Sequence, residues 1–400
     1  MSLDALPAGA TIGIIGGGQL GRMSAMAAAR LGYQVHVLSA EDAPPAEDTA
    51  YRVTIGAYDD EAVLRHFAET VDVITFEFEN ISTEGLELLA SLRPVHPGKH
   101  ILATSQDRIR EKTFLGDQDI PVAPWVSVPD ETQLAKAASQ LGVPFLLKTT
   151  RFGYDGKGQF RITDEGSLSQ HAADLPYPLI AEGFVDFERE LSVMVARNAH
   201  GAVRCFSVTE NQHREGILDL SLAPARIPVA LAEEAERLAR RIAETIGLIG
   251  ILGVEMFVAA DGTLLVNEIA PRPHNSGHWT MDACLIDQFE MHIRAVAGLP
   301  LPEPFRHSDA VMKNLIGPEG IALCDAVLEQ SGLALHLYGK RECRPGRKMG
   351  HVNALFPLGA LPVRTELPLS STQRFSRSFP AERLAGPALT THSTDPDRGS

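Results

Sequence analysis

Two glutamates, Glu255 and Glu268, lie in "VEMFVAADGTLLVNE" on either side of Asp261-Gly262, a strong β-hairpin signal. With Asp261-Gly262 as the turn, Ala260 faces Thr263, and counting outward sets Glu255 opposite Glu268. Side chains so opposed have Cβ atoms only ~4.5–5.5 Å apart. Two carboxylates at that spacing within apolar strands repel each other unless one is protonated or a cation lies between them. Oxygen ligands on rigid strands, with Asn267 adjacent, suit Mg2+ shared with substrate phosphates. The alternative, two solvated glutamates on an edge hairpin, is weakened because "GVEMFV" and "LLVNEIA" read as buried on both sides.

Directly after Glu268 comes "APRPHNSGHWTMDA". Arg272, His274, Asn275, Ser276 and His278 make it a dense polar loop, placed to bind reacting groups. The four-residue spacing of His274 and His278 raises a zinc helix, but the intervening Asn-Ser-Gly is loop-forming and no H-E-x-x-H is present. Upstream, "KTTRFGYDGKGQ" puts Lys148 near a strand end, followed by the loop Gly153, Tyr154, Asp155, Gly156, Lys157, Gly158 and Gln159. It is not a Walker loop, and "QFRIT" after it alternates like a strand. A glycine hairpin of this kind can fold over a triphosphate, with backbone N–H donors and Lys148 as a point charge. An ordinary mobile β-hairpin tip would not need Tyr154, Asp155 and Lys157.

A further glycine pattern, Gly16-x-Gly18-x-x-Gly21 in "TIGIIGGGQLGRM", has the strand–turn–helix order of a dinucleotide fingerprint. Its acidic partner should end the second strand, yet "VHVLSA" ends at Ser39 and Ala40, with Glu41 and Asp42 one or two residues late. Three readings therefore stand: NAD, a tight turn that needs glycine, or the phosphate of a mononucleotide on a bare helix N-terminus.

These residues must be positioned by elements. Strands and helices alternate through the first hundred residues, which implies a parallel sheet with ligands at the strand C-termini. In "LRPVHPGKHILATSQDRIREKTFLGDQDIPVAPW" a basic helix is bounded by prolines and marks a domain junction. From about Pro121 hairpins and a charged amphipathic helix, "LAEEAERLARRIAETIG", replace the alternation. A smaller segment holds "LALHLYGKRECRPGRKMGHVN", where Lys340 and Arg347 concentrate positive charge in a polar, glycine-containing run and suggest an anionic ligand. The domains expected are 1–107, 108–298 and 299–362, with 363–400 a Ser/Thr/Pro/Arg-rich tail expected to be disordered.

Four hundred residues exceed one ordinary core, and the net charge of -15 argues against nucleic acid. The four cysteines are isolated, which fits a reducing, cytoplasmic setting. No apolar run is long enough to span a membrane, and residues 1–10 lack a basic n-region.

"GYDGKGQ", the Glu255/Asn267/Glu268 hairpin and "NEIAPRPHNSGHWT" resemble the ATP-grasp superfamily. Within it, "GGGQLGRM", "FEFEN", "APRPHNSGHWT" and "RPGRKMGH" together resemble the N5-carboxyaminoimidazole ribonucleotide synthase family over about residues 10 to 360. The resemblance implies an α/β and α+β chain: a Rossmann-like N-terminal domain, an ATP-grasp domain holding ATP between two small lobes, and a small C-terminal domain. It implies that ATP phosphorylates bicarbonate to carboxyphosphate, and that the amine of 5-aminoimidazole ribonucleotide (AIR) takes the carboxylate, in purine biosynthesis. Arg108, Lys148 and the loop 153–159 would contact ATP phosphates. Glu182, Gly183, Phe184 and Val185 would hold adenine, Glu190 the ribose, and His213 would line the same site, with Asn267 and Glu268 at its metal end. Glu255 and Glu268 would ligate Mg2+. Gln19, Leu20, Lys340 and Arg347 would receive the AIR phosphate, while Glu77 or Glu79, Tyr154, Asp155 and Lys157 would face its ribose and imidazole. Arg272, His274 and Asn275 would position bicarbonate and carboxyphosphate, with Lys157 also in the catalytic set. No biotin and no NAD are implied, and a homodimer is.

One departure stands out: after "GHVN" the family continues with further ordered structure, and the tail here does not resemble it. A dehydrogenase would explain only the first glycine loop. A non-catalytic sensor would need a damaged carboxylate pair. A sister ATP-grasp ligase, formate-dependent glycinamide ribonucleotide transformylase, would explain the ATP site equally well, but "GRKMGH" and "HNSGHW" favour the imidazole family.

Overall fold

The computed structural model describes residues 5–153, 157–164, 166 and 175–362. Tyr154, Asp155, Gly156 and the tail 363–400 lie outside the described residues.

Strands β1 (Thr11–Ile15), β2 (Gln34–Ser39), β3 (Arg52–Ile55) and β4 (Val73–Phe76) form a parallel sheet in the order β3-β2-β1-β4. Both faces of β1 and β4 are covered, so they read as continuous apolar runs. The chain runs outward from β1 to β2 and β3 on one side and then crosses to β4 on the other, and this reversal of strand order opens a crevice at the strand C-termini. There the loop Gly16-Gly17-Gly18 meets Glu77 and Phe78.

The basic stretch at the junction forms two helices, Lys99–Ser105 and Arg108–Asp117, rather than the single helix expected. Asp107 breaks the run because its carboxylate accepts the N–H groups of Ile109 and Arg110 as an N-cap. The break places Arg108 in the first turn, facing the site.

The central region has two sheets. β5 (Trp125–Val128), β6 (Phe145–Thr149), β7 (Gln159–Ile162) and β8 (Leu179–Gly183) form a four-stranded antiparallel sheet in the order β5-β8-β6-β7. β9 (Phe187–Arg197), β10 (Val203–Cys205), β11 (Thr209–Arg214), β12 (Ile217–Ala223), β13 (Gly250–Ala259) and β14 (Leu264–Ala270) belong to the larger sheet. The amphipathic helix Val229–Thr245 buries Ala235, Leu238, Ala239 and Ile242 against it. β15 (Asp309–Ile316), β16 (Leu333–Leu337) and β17 (Lys348–Phe356) continue this same sheet, because β15 pairs antiparallel with β12, Leu220 opposite Lys313. The C-terminal segment is thereby fixed by main-chain hydrogen bonds to the floor of the site. Among the described residues no helix is long and apolar enough to cross a membrane.

Candidate active site

The hairpin β13–β14 sets Glu255 opposite Glu268, but not by the register counted from sequence. Ala259 N–H donates to Thr263 O, so the loop holds Ala260, Asp261 and Gly262, and Ala260 does not face Thr263. That shift is undone by a bulge: Met256 pairs Val266, Glu255 pairs Glu268, and Asn267 is the extra residue. Two residues against one turn both Asn267 and Glu268 toward the cavity that Glu255 lines, while Met256 and Val266 stay in the core.

The buried lysine Lys112 stabilises this bulge by donating to Asn267 O (2.7 Å) and Val266 O (3.4 Å). Burial, reinforced by Glu268, pushes the Glu255 carboxyl well above its ordinary range. Burial acts the same way on Glu268, but Arg108, Lys148 and Arg272 outweigh it and hold that group below the ordinary range. Asn267 Oδ1 is buried with no hydrogen-bond partner among the described residues. Two carboxylates that resist joint ionisation and an orphaned amide oxygen fit a divalent cation. Among the described residues no three His, Cys, Asp or Glu side chains form a closed metal cage. An ion held here would complete its shell with water or phosphate oxygens, as Mg2+ does.

Two cavities meet at this hairpin. One, about 300 Å³, is lined by Lys148, Gln159, Glu182, Gly183, Phe184, Val185, Glu190, His213, Glu255 and Asn267. Its far end is apolar, with Phe187 and Phe257 stacked at 4.6 Å between ring centroids. Lys148 and Glu182 form a buried ion pair at 2.8 Å. Burial raises the Glu182 carboxyl, but Lys112 and Lys148 reverse the shift and keep it ionised. Glu190 and His213 hydrogen-bond to each other, and although burial lowers the His213 pKa, Glu190 raises it above the ordinary value.

The other cavity, about 380 Å³, is lined by Gln19, Leu20, Glu77, Glu79, Gly153, Arg272 and neighbours. Arg272 pairs with Glu79 at 3.1 Å. Arg108, Glu268, His274, Asn275 and Lys348 line both cavities and form the wall between them. Asn275 is tied from behind by a reciprocal amide pair with Asn314 of β15, at 2.8 and 2.9 Å.

The first glycine loop has a definite occupant. Glu77 accepts from Gly18 N–H and, at 2.6 Å, from Gly21 N–H, so its carboxylate sits on the N-terminus of the helix Gln19–Arg30. A Cβ at Gly16 or Gly18 would collide with Glu77, and one at Gly17 with Pro44. The glycines therefore make room for the protein's own anion, where a dinucleotide pyrophosphate would lie. Gln19 and Leu20, in the first turn, have no intrahelical acceptors for their N–H groups, and both line the larger cavity.

Some residues marked by the sequence line neither cavity. Lys157, Gly158, Lys340 and Arg347 do not. Lys340 donates to Lys348 O at 2.7 Å, and Arg347 to Glu342 O at 3.0 Å. Burial, with Arg347 and Lys348 nearby, pulls the Lys340 ammonium down to about 8. Lys348, Lys112, Asn314 and Gln288 are not among the residues the sequence marks. Strand alternation carries a signal for one of them: Arg347 precedes β17, and Lys348, its first residue, projects into the cavities.

A parallel N-terminal domain, a two-lobed cleft with a buried Lys–Glu pair, and paired carboxylates on a bulged hairpin together define an ATP-grasp ligase. Family models match three segments: the ribonucleotide synthetase preATP-grasp domain over residues 9–106, the ATP-grasp domain over 113–289, and the phosphoribosylaminoimidazole carboxylase C-terminal domain over 310–357. The chain is 50% identical over 360 residues to N5-carboxyaminoimidazole ribonucleotide synthase of Brucella melitensis, covering 89% of this chain and 99% of that one. A crystal structure of the ADP complex of a purK N5-carboxyaminoimidazole ribonucleotide synthetase is similar with TM-score 0.85 and 42% identity, covering 89% of this chain and 94% of that one. The Aspergillus clavatus synthase in complex with ADP and 5-aminoimidazole ribonucleotide is similar with TM-score 0.83 and 33% identity, covering 88% and 94%. The chain belongs to the N5-carboxyaminoimidazole ribonucleotide synthase family.

Proposed function

We propose that this enzyme uses ATP and bicarbonate to carboxylate 5-aminoimidazole ribonucleotide, giving N5-carboxyaminoimidazole ribonucleotide, ADP and phosphate. The observation that carries the reading is the shared wall, in which Arg108, Glu268, His274, Asn275 and Lys348 face both cavities. ATP in the smaller cavity and AIR in the larger one would meet across it. Phosphoryl transfer is chiefly a matter of position and countercharge, and the wall supplies both.

In this reading the apolar end of the smaller cavity and the main chain of Glu182, Gly183, Phe184 and Val185 hold adenine. Glu190 takes the ribose hydroxyls, and Lys148 and Arg108 take the phosphates. Glu255, Asn267 and Glu268 hold Mg2+, which when bound neutralises phosphate charge as it develops. Arg272 and His274 orient bicarbonate and the carboxyphosphate formed from it. Glu77 and Glu79 face AIR. Gln19 and Leu20 receive its 5′-phosphate, and Lys340, whose charge reaches the lining residue Glu77 from just outside the cavity, attracts it together with Arg347.

The carboxyphosphate decomposes in water, so its carboxyl group must cross the wall inside a closed site. Single-turnover release of ADP, with and without AIR and 13C-bicarbonate, tests the reaction. Label appearing in the ribonucleotide supports it, and ADP release indifferent to AIR counts against it. Buried, unpaired Cys205, Cys284 and Cys324 support a cytoplasmic setting. A homodimer is part of the same proposal, with exposed Leu285 and Phe305 as adjacent apolar surface, and light scattering tests it.

The Lys340 assignment carries its own pH dependence. An ammonium with a pKa of about 8 is charged below that pH and neutral above it. The phosphate of AIR is already a dianion there, since its second pKa is about 6. KM for AIR is therefore expected to stay level up to about pH 8 and then rise toward a plateau roughly tenfold higher. In Lys340→Met that rise should vanish and KM should be high at every pH.

A further inference from the structure

The loop after β14 contains a buried hydroxyl chain that the reaction as described does not use. Ser192 Oγ, on β9, donates to Ser276 Oγ at 2.8 Å, and Ser276 Oγ lies 2.8 Å from His274 Nδ1. Ser192 and Ser276 are both fully buried, so no solvent competes for these bonds. The direction of the chain follows from one group that can only donate. The Ser276 backbone N–H points at His274 Nδ1 at 3.4 Å, and a backbone N–H cannot accept. An Nδ1 that accepts this N–H carries no proton, so it can only accept from Ser276 Oγ–H as well, and the lone pairs of Ser276 Oγ are left to receive the Ser192 hydroxyl. His274 Nδ1 is therefore an acceptor on both counts, and the neutral ring carries its proton on Nε2.

Nε2 points the other way, toward the wall between the two cavities, 3.4 Å from Glu255 Oε1. The backbone of the same residue is clamped independently. His274 N–H donates to Gln288 Oε1 at 3.0 Å, and Gln288 Nε2 donates back to His274 O at 2.9 Å. With main chain and ring both fixed, the imidazole has one orientation and one tautomer.

We infer that Ser276, backed by Ser192, is a positioning residue that locks His274 in the Nε2–H tautomer, so that this histidine presents a hydrogen-bond donor to an anionic oxygen at the wall. In this state His274 stabilises negative charge on a bicarbonate, carboxyphosphate or phosphoryl oxygen and has no free nitrogen with which to act as a base toward the AIR amine. The inference rests on the functional reading above for the identity of that anion, but the tautomer itself does not.

The test separates the two. Protein labelled with 15N in histidine, with His274→Gln used to assign the signal, reports the protonation of each ring nitrogen through long-range 1H–15N correlation. In the wild-type protein His274 Nδ1 is expected at the shift of an unprotonated nitrogen and Nε2 at that of a protonated one. In Ser276→Ala the two shifts should move toward each other, and kcat should fall roughly tenfold, the scale of one misplaced hydrogen bond, with KM for ATP unchanged. Ser192→Ala should shift the signals in the same direction by less, which keeps the test open if Ser276→Ala folds poorly. A protonated Nδ1 in the wild type overturns the inference, as does a Ser276→Ala protein with unchanged shifts and kcat. An Nε2–H histidine in a protein whose ADP release ignores AIR would leave the lock standing and remove the functional reading instead.

Discussion

Glu268→Gln is expected to lower kcat for ATP turnover roughly a hundred- to a thousandfold, equivalent to about 2.7–4 kcal/mol of lost transition-state stabilisation. Glu268 is the more acidic of the facing pair, since Arg108, Lys148 and Arg272 surround it, and it lines both cavities. An amide in its place keeps the shape and removes the anion, so the bulge survives while the proposed metal clamp on the transferring phosphate weakens. Stability should barely change. The lost contact with Arg108, 3.4 Å away, is offset by relief of repulsion with Glu255. Thermal unfolding without divalent ions is expected within about 3 °C of wild type. Wild-type rates of ADP release at saturating Mg2+ would sink the metal assignment, and a large fall in Tm would make the effect structural.

Lys148→Met should hurt both binding and folding. The ammonium lines the smaller cavity and pairs with Glu182 in a setting where both side chains are almost wholly buried. Removing one partner of a buried pair leaves an uncompensated charge and costs about 3–5 kcal/mol. The lower end is expected here because Lys112 also faces Glu182. Loss of the proposed phosphate contact of this buried cation should reduce kcat/KM for ATP roughly a hundredfold. The double variant Lys148→Met/Glu182→Gln separates the two effects: Tm should recover in large part, and kcat/KM should not. If the double variant melts as low as the single one, Glu182 is not the group left stranded. If the single variant binds ATP normally, Lys148 is structural.

Local pattern was enough for several conclusions about this chain. Alternating strands and helices in the first hundred residues dictate a parallel sheet, and β1, β2 and β4 form where the apolar runs lie, because burial on both faces admits little else. The hairpin that carries Glu255 and Glu268 is written in Asp261-Gly262 and its apolar flanks. The polar loop after it is legible because Arg272, His274 and Asn275 have no reason to cluster in a core. The motifs also point to the family, because their order and joint presence along the chain are specific even where each alone is weak.

Tertiary structure decided the rest, and the reason in each case is a contact between residues far apart in the chain. The facing of Glu255 and Glu268 depends on a bulge at Asn267 held by Lys112, about 155 positions earlier, and a count along one hairpin cannot include it. The glycine loop lacks the acidic partner of an NAD site in sequence, but that its glycines accommodate Glu77, from the end of β4, on the helix N-terminus is decided only by packing. Asp107 split one basic helix into two because an N-cap bond is worth about 1 kcal/mol and competes with continuing the helix. The hydroxyl chain behind His274 joins β9 to a loop 84 residues away. A sequence shows which side chains can do chemistry; which hydrogen bonds they have left for a substrate is settled only when distant strands pack and take the others.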